Sequence, residues 1–164
     1  MKADDDLLPA ERKVLEQLGH LDLDFTAMGA IANVFRTSAA LRRHLEAEVL
    51  APLTLSWTAF TGLWVLWVWG ELEPADFAEA VGISRPTATG VLKTLQGRGW
   101  VARRPSPDDG RRALLRLTPG GEATISELFP RFNEAEARLA AGLSPGEQRR
   151  LAEMLRTLQR SLED

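Results

Sequence analysis

The chain has 164 residues, one domain by length, and its 45% hydrophobic and 26% charged residues can bury a core without disulfides or a metal. It holds no cysteine and only two histidines, His20 and His44, which excludes a disulfide framework, thiol chemistry and an all-histidine metal site. The net charge of −3 argues at first against a nucleic-acid partner, but Ser84 to Leu117 carries eight basic and two acidic side chains, a local +6 that leaves −9 on the rest.

Met1 to Leu8 reads as a disordered tail, acidic where a secretory signal would be basic and then apolar. Pro9 to Leu18 is a short helix stopped by Gly19. From Asp24 a helical pattern runs to about Leu50, with Phe25, Met28, Ile31, Phe35, Ala39, Leu41, Leu45 and Val49 mostly three or four apart; Pro52 ends it. Thr54 is the expected N-cap of the next helix, which carries Trp57, Phe60, Leu63, Trp64 and Trp67 and closes at Gly70. The longest apolar run, Leu63 to Trp69, falls far short of the ~20 residues of a membrane span, so the chain is expected to be soluble and cytoplasmic.

A shorter unit follows. Glu73-Pro74 opens a helix through Ala80 with Phe77 and Ala78 inward, and Val81-Gly82-Ile83 makes a tight turn. Ser84 caps a second helix whose buried face is Ala88, Val91, Leu92 and Leu95, ending at Gly97 to Gly99. The period then switches to two. Trp100 to Arg104 and Arg112 to Leu117 are strands joined by a Pro-Ser-Pro-Asp-Asp-Gly turn, which predicts a β-hairpin. Thr118-Pro119 starts a helix running to Gly142, with a kink expected at Pro130. Ser144-Pro145-Gly146-Glu147 is a capping box that opens the final helix, with Leu151, Met154, Leu155, Leu158 and Leu162 on one face.

Helix, glycine turn, helix and basic ribbon, in that order, are what a winged helix-turn-helix requires. The second helix of such a unit lies in the major groove of DNA. Its outer face here is Ser84, Arg85, Pro86, Thr87, Thr89, Gly90 and Lys93. Small side chains allow close approach, and Arg85 is able to read guanine bidentately. The hydroxyls and the helix N-terminus suit phosphate. The hairpin adds Arg103, Arg104, Arg111 and Arg112, and an arginine at such a tip can enter the minor groove. The bland reading of four hairpin arginines is a solvated edge that blocks aggregation.

The run from Phe77 to Gly121 resembles the winged helix of the MarR family of bacterial regulators. The matching features are the turn into Gly82-Ile83-Ser84, the Thr87-x-Thr89 pair and Leu95 followed by Gly99-Trp100-Val101. The Asp109-Gly110-Arg111-Arg112 wing and the Leu117-Thr118-Pro119-Gly120 exit match as well. The flanking helices extend the resemblance from about Phe25 to Leu162. It implies a mainly α fold with a small β-hairpin wing, and a homodimer joined through a helical bundle of N- and C-terminal helices. It also implies double-stranded DNA as partner, bound at a near-palindrome by a regulator expected to repress. By family analogy Asp109 holds Arg111 for the minor groove. Gly90 departs from the family, which often carries a basic or amide side chain there; a mid-helix glycine costs ~1 kcal/mol against alanine.

The expected organisation is a tail and short extra helix (1–24), dimerisation and linking helices (25–70), the winged lobe (71–117) and C-terminal dimerisation helices (118–164). The final helix's leucine stripe exceeds what a small winged lobe can cover and supports the dimer, though packing within one chain is the bland alternative. Relatives bind phenolic or aromatic effectors, and the candidate lining residues are Phe35, Arg36, His44, Trp57, Trp64 and Phe129, with Arg36 and His44 facing a carboxylate or phenolate. The bland reading makes the aromatics core and the two polar residues plain surface. The extra N-terminal helix resembles the urate-responsive branch, but Thr61 stands where that branch has an acid. No cofactor, metal, membrane or enzymatic activity is expected. The alternative function is a dimeric helical adaptor or ligand-binding module that has lost DNA binding.

Overall fold

The computed structural model describes residues 7–107, 109 and 112–162, so the expected tail lies largely outside the described residues. The chain divides into two compact units, Met1–Arg43 and His44–Asp164.

In the first unit, α1 (Pro9–Leu18) begins with proline at its first turn, and the Glu11 side chain reaches back to accept from the Leu8 N–H at 2.9 Å. α2 (Phe25–Leu45) starts where Asp24 Oδ1 accepts from the Ala27 N–H at 2.9 Å, and it runs into the second unit. Glu11 also accepts from Asn33 Nδ2 at 2.8 Å, which ties α1 to α2. Ile31, Val34, Phe35 and Leu41 stay exposed, Phe35 to 72%.

The expected long helix stops being α-helical at Leu45. A π-helical turn (Glu46–Leu50) and a 3-10 turn (Ala51–Leu53) follow, burying Val49 and Leu50 and using Pro52 where its missing N–H costs little. Thr54 is not the N-cap. It sits in the left-handed region at φ 48°, and Ser56 caps α3 (Trp57–Trp69) by accepting from the Ala59 N–H. α3 is apolar on almost every side and is the core helix, with Ala59, Phe60, Gly62, Leu63, Val65 and Leu66 buried.

α4 (Pro74–Val81) follows the extended Glu73 and ends at Gly82, whose φ of 72° is the left-handed conformation that glycine adopts freely. α5 (Arg85–Gly97) buries Ala88, Leu92 and Leu95, with Val91 partly covered. β1 (Val101–Pro105) pairs antiparallel with β2 (Ala113–Leu117) in the register Val101 to Leu117 and Arg104 to Leu114. A third edge joins them: Leu72 exchanges both backbone bonds with Leu115, at 3.1 and 2.8 Å. α6 (Pro119–Ala140) is continuous through Pro130, and α7 (Pro145–Arg160) carries the expected Ser144/Glu147 capping box. No single helix among the described residues is long and apolar enough to cross a membrane.

Two glycines set the close contacts of the second unit. A Cβ on Gly62 would stand 2.8 Å from Phe77 Cζ, and one on Gly121 would stand 2.8 Å from the Trp100 carbonyl carbon. The Gly62 contact lets α4 pack onto α3; the Gly121 contact lets the start of α6 pass under the entry to the wing. Gly62→Ala is expected to destabilise the fold by about 1–3 kcal/mol, because a buried ring must move. Gly121→Ala is expected to cost more, since backbone must move. Urea unfolding of the two variants checks both, and an unchanged midpoint for either would refute the close-packing account.

Candidate nucleic-acid interface

The residues expected on the outer face of the second helix are exposed to solvent. Ser84, Arg85, Pro86, Thr87, Thr89, Gly90 and Lys93 are all exposed on α5 or at its cap; Pro86, Gly90 and Lys93 lie away from the buried Ala88, Leu92 and Leu95, and Arg85 stands in line with Ala88 and Leu92 at the first turn. The first turn is preorganised. Ser84 Oγ caps the Thr87 N–H and shares a 2.8 Å hydrogen bond with the Thr87 hydroxyl. Thr89 donates to the Arg85 carbonyl at 3.1 Å, so it offers an outside partner an acceptor in this rotamer. Nothing lies within 4 Å of a Cβ built on Gly90.

The basic window divides by function. Arg85, Lys93 and Arg103 are exposed and form no ion pair among the described residues. Arg104 turns the other way. Its Nε donates to both oxygens of Glu71, at 2.9 and 3.1 Å, and its Nη2 contacts the same carboxylate. Arg112 pairs with Glu73. Strand alternation explains the split, since Arg103 and Arg104 are neighbours on β1 and point to opposite faces. Glu71 and Glu73 flank Leu72, whose backbone bonds to β2, so the two acids strap the wing at its base. Asp109 is exposed, and its carbonyl accepts from the Arg112 N–H at 2.9 Å; Arg111, and with it the expected Asp109–Arg111 contact, lies outside the described residues.

Sequence reasoning missed the role of Arg98. It follows the last turn of α5 and donates to the Leu53 carbonyl at 2.9 Å and to the Thr54 carbonyl and hydroxyl at 2.7 and 2.9 Å. Its guanidinium also lies 4.8 Å from the centre of a Trp100 ring. The end of α5 is thereby fixed to the corner that precedes α3. The left-handed Thr54 is part of that corner, a conformation a β-branched residue rarely adopts.

The expected effector set divides as well. Trp57, Trp64 and Phe129 meet Phe60, Thr61, Phe132 and Glu136 around a cavity of about 280 Å³ between α3 and α6. Phe60 and Phe132 stack at 4.3 Å, and Trp57 leans on Phe132 at 5.9 Å. The other three residues do not line this cavity. Arg36 lines a groove of the first unit and donates to Asn33 Oδ1, Phe35 is exposed, and His44 pairs with Glu48 at 2.9 Å. Among the described residues no group of three or more His, Asp or Glu side chains gathers to hold a metal.

The Arg104 hydrogen bonds hold the Glu71 carboxyl below its ordinary range, against a smaller opposing effect of burial, with the charges of Arg104 and Arg116 adding to the depression. A depressed folded pKa means the contribution is present above the unfolded value and is lost as pH falls through the folded one. Glu71 is therefore expected to titrate below the roughly 4.3 of a free glutamate. Arg104→Gln should return it toward that value and speed amide exchange at the Leu72–Leu115 bridge. Carboxyl-detected NMR titration checks this, and an ordinary Glu71 midpoint in the parent protein would remove the strap.

The comparisons with known proteins agree with this geometry. The model of the MarR family matches residues 55–113, from just before α3 to the start of β2. YwaE of Bacillus subtilis, an uncharacterised HTH-type transcriptional regulator, is 39% identical over 142 residues, covering 87% of this chain and 83% of its own. The HTH-type transcriptional repressor Mb2911 of Mycobacterium bovis is 31% identical over 125 residues, covering 76% of this chain and 89% of its own. Among solved structures, a cysteine-to-serine mutant of MarR from E. coli, complexed with operator DNA, superposes with a TM-score of 0.74 at 24% identity over 84% of this chain and 99% of that one. The chain belongs to the MarR family of winged helix-turn-helix transcriptional regulators.

Proposed function

We propose that the protein binds a near-palindromic operator as a homodimer and represses from it, with α5 in the major groove and the wing in the adjacent minor groove. The observation that carries this is the exposed α5 face, where seven small or basic residues surround a capped helix N-terminus. Arg85 reads base edges; Ser84, Thr87 and Lys93 hold phosphate. Arg103 and Arg111 serve the minor groove. Arg104 and Arg112 act one step back, by holding the wing to Glu71 and Glu73. The operator complex of E. coli MarR, a structural neighbour of this chain, supports the same mode. Such a regulator works beside the chromosome, in the cytoplasm.

The dimer reading rests on α7, none of whose residues is buried. Leu151, Met154, Leu155 and Leu158 are each 39–48% exposed on one face, a stripe that calls for a partner surface. The exposed Ile31, Val34, Phe35 and Leu41 of α2 make the same demand. A two-fold protein fits a two-fold site, with the two α5 helices ~34 Å apart. An effector in the α3–α6 cavity would act by fitting one conformation better than another.

Duplex binding against salt tests the reading. Affinity should fall steeply as salt rises, with a slope of about −0.9 for each phosphate neutralised. Lys93→Ala should reduce that slope by about 1 per protomer, and Arg85→Ala should lose roughly 1–3 kcal/mol of discrimination at one base pair. A flat response would favour the adaptor without DNA binding. For the dimer, Leu151→Glu with Leu158→Glu should give monomers in sedimentation equilibrium and weaken operator binding more than non-specific binding. A monomeric parent protein would refute the interface.

A further inference from the structure

From the α3–α6 cavity we infer that this site selects a small aromatic cation, such as an aryl-alkyl ammonium, over the aromatic carboxylates or phenolates that Arg36 and His44 would suit. The inference rests on the effector reading above and assigns its ligand class. Three features of the lining point the same way. The walls are aromatic: the half-buried rings of Trp57, Trp64 and Phe129, with the buried Phe60 and Phe132 stacked on each other behind them, and aromatic π faces attract positive charge. The charged group at the cavity is an acid, Glu136, exposed on α6. Its Oε2 accepts from Asn133 Nδ2 at 3.1 Å, and Oε1 has no donor among the described residues. Thr61, the remaining polar lining residue, directs its hydroxyl proton to the Trp57 carbonyl at 2.9 Å, so it too offers an acceptor.

An aromatic carboxylate would meet the opposite of what it needs. Among the described residues no lysine, arginine or histidine lines the cavity. The basic side chains expected to serve, Arg36 and His44, are engaged by Asn33 and Glu48. An anion seated here would face the Glu136 carboxylate at short range. A cation would gain that attraction together with the ring faces. The volume sets the size. About 280 Å³ lies at the lower edge of the roughly 300–1,000 Å³ of drug-sized sites, which suits one ring with a short charged arm.

The test uses three single-ring probes at fixed ionic strength, with calorimetry and tryptophan fluorescence as readouts. They are benzyltrimethylammonium, the neutral benzyl alcohol and the anion phenylacetate. Benzyltrimethylammonium should bind once per chain, quench the tryptophans and exceed phenylacetate by about tenfold or more, equivalent to about 1.4 kcal/mol. Glu136→Gln should reduce that preference several-fold. Glu136→Lys should invert it, and both substitutions fall at an exposed position of α6. Phenylacetate binding as well as the cation, or an unaltered preference in Glu136→Lys, would overturn the assignment. So would failure of all three probes, as when a second copy of the chain fills the cavity. Duplex affinity measured in the same samples separates the two readings. A cation that binds with this selectivity but leaves DNA affinity unmoved supports the assignment and overturns the effector role beneath it.

Discussion

The second unit is organised around one contact, the Phe77 ring on the bare backbone of Gly62. Phe77 is fully buried, and Leu95 lies against the same glycine, so α4 and α5 both reach α3 at the one point where α3 has no side chain. Truncating such a ring costs roughly 3–5 kcal/mol in typical cores, a large share of a domain's net stability. The geometry matters as much as the energy. With Ala88, Leu92 and Leu95 committed inward, the helical period turns Pro86, Gly90 and Lys93 outward, while Arg85, in line with Ala88 and Leu92, is exposed at the first turn of the helix. At the other end Gly121 lets α6 start beneath the Trp100 carbonyl, so the wing is hung from the same core.

Charge is allocated by position rather than by residue type. Exposed ion pairs contribute about 0–1 kcal/mol, so the Arg104–Glu71 and Arg112–Glu73 pairs add little to stability. What they add is direction. Glu71 and Glu73 are two apart on an extended segment and lie on one side of it, while Leu72 bonds to β2. Arg104 and Arg112 are drawn toward these carboxylates, and the ribbon presents Arg103 on its other face. Arg98 works in the same manner at the end of α5, where its guanidinium satisfies carbonyls that the 3-10 turn leaves open. Of the cations that made the window basic, those that fix the scaffold are thus distinct from those that face outward.

Local chemistry made much of this legible in the sequence. The helices, the Gly82 turn, the Ser84 and Ser144 caps and the hairpin follow from signals contained within a few residues, and all are present. The failures share a cause, which is that the deciding partner is distant in the chain. Thr54 and Ser56 are both capping residues two positions apart. The Arg98 side chain, more than forty residues on, holds Thr54 in the turn and leaves the cap to Ser56. The Leu72 edge is too short to show any period. Helical spacing places Trp57 and Trp64 on one face but carries no information about which other element faces them. Phe129 joins them at the cavity, whereas Phe35, Arg36 and His44 do not.

Gly90 differs from the two structural glycines. A Cβ at Gly62 or Gly121 meets a neighbour at once, so packing within the chain explains both. A Cβ at Gly90 meets nothing within 4 Å, although the residue sits mid-helix on an exposed face. Alanine there would gain about 1 kcal/mol of helix propensity and disturb no contact. The cost of keeping glycine therefore has no compensation inside the folded protomer. In the proposed groove-reading role, the bare backbone at this position would let a partner approach α5 more closely than a methyl group permits. The edge of a base pair in the major groove is the partner that the proposed function supplies, and Gly90 shares the exposed side of α5 with Pro86 and Lys93.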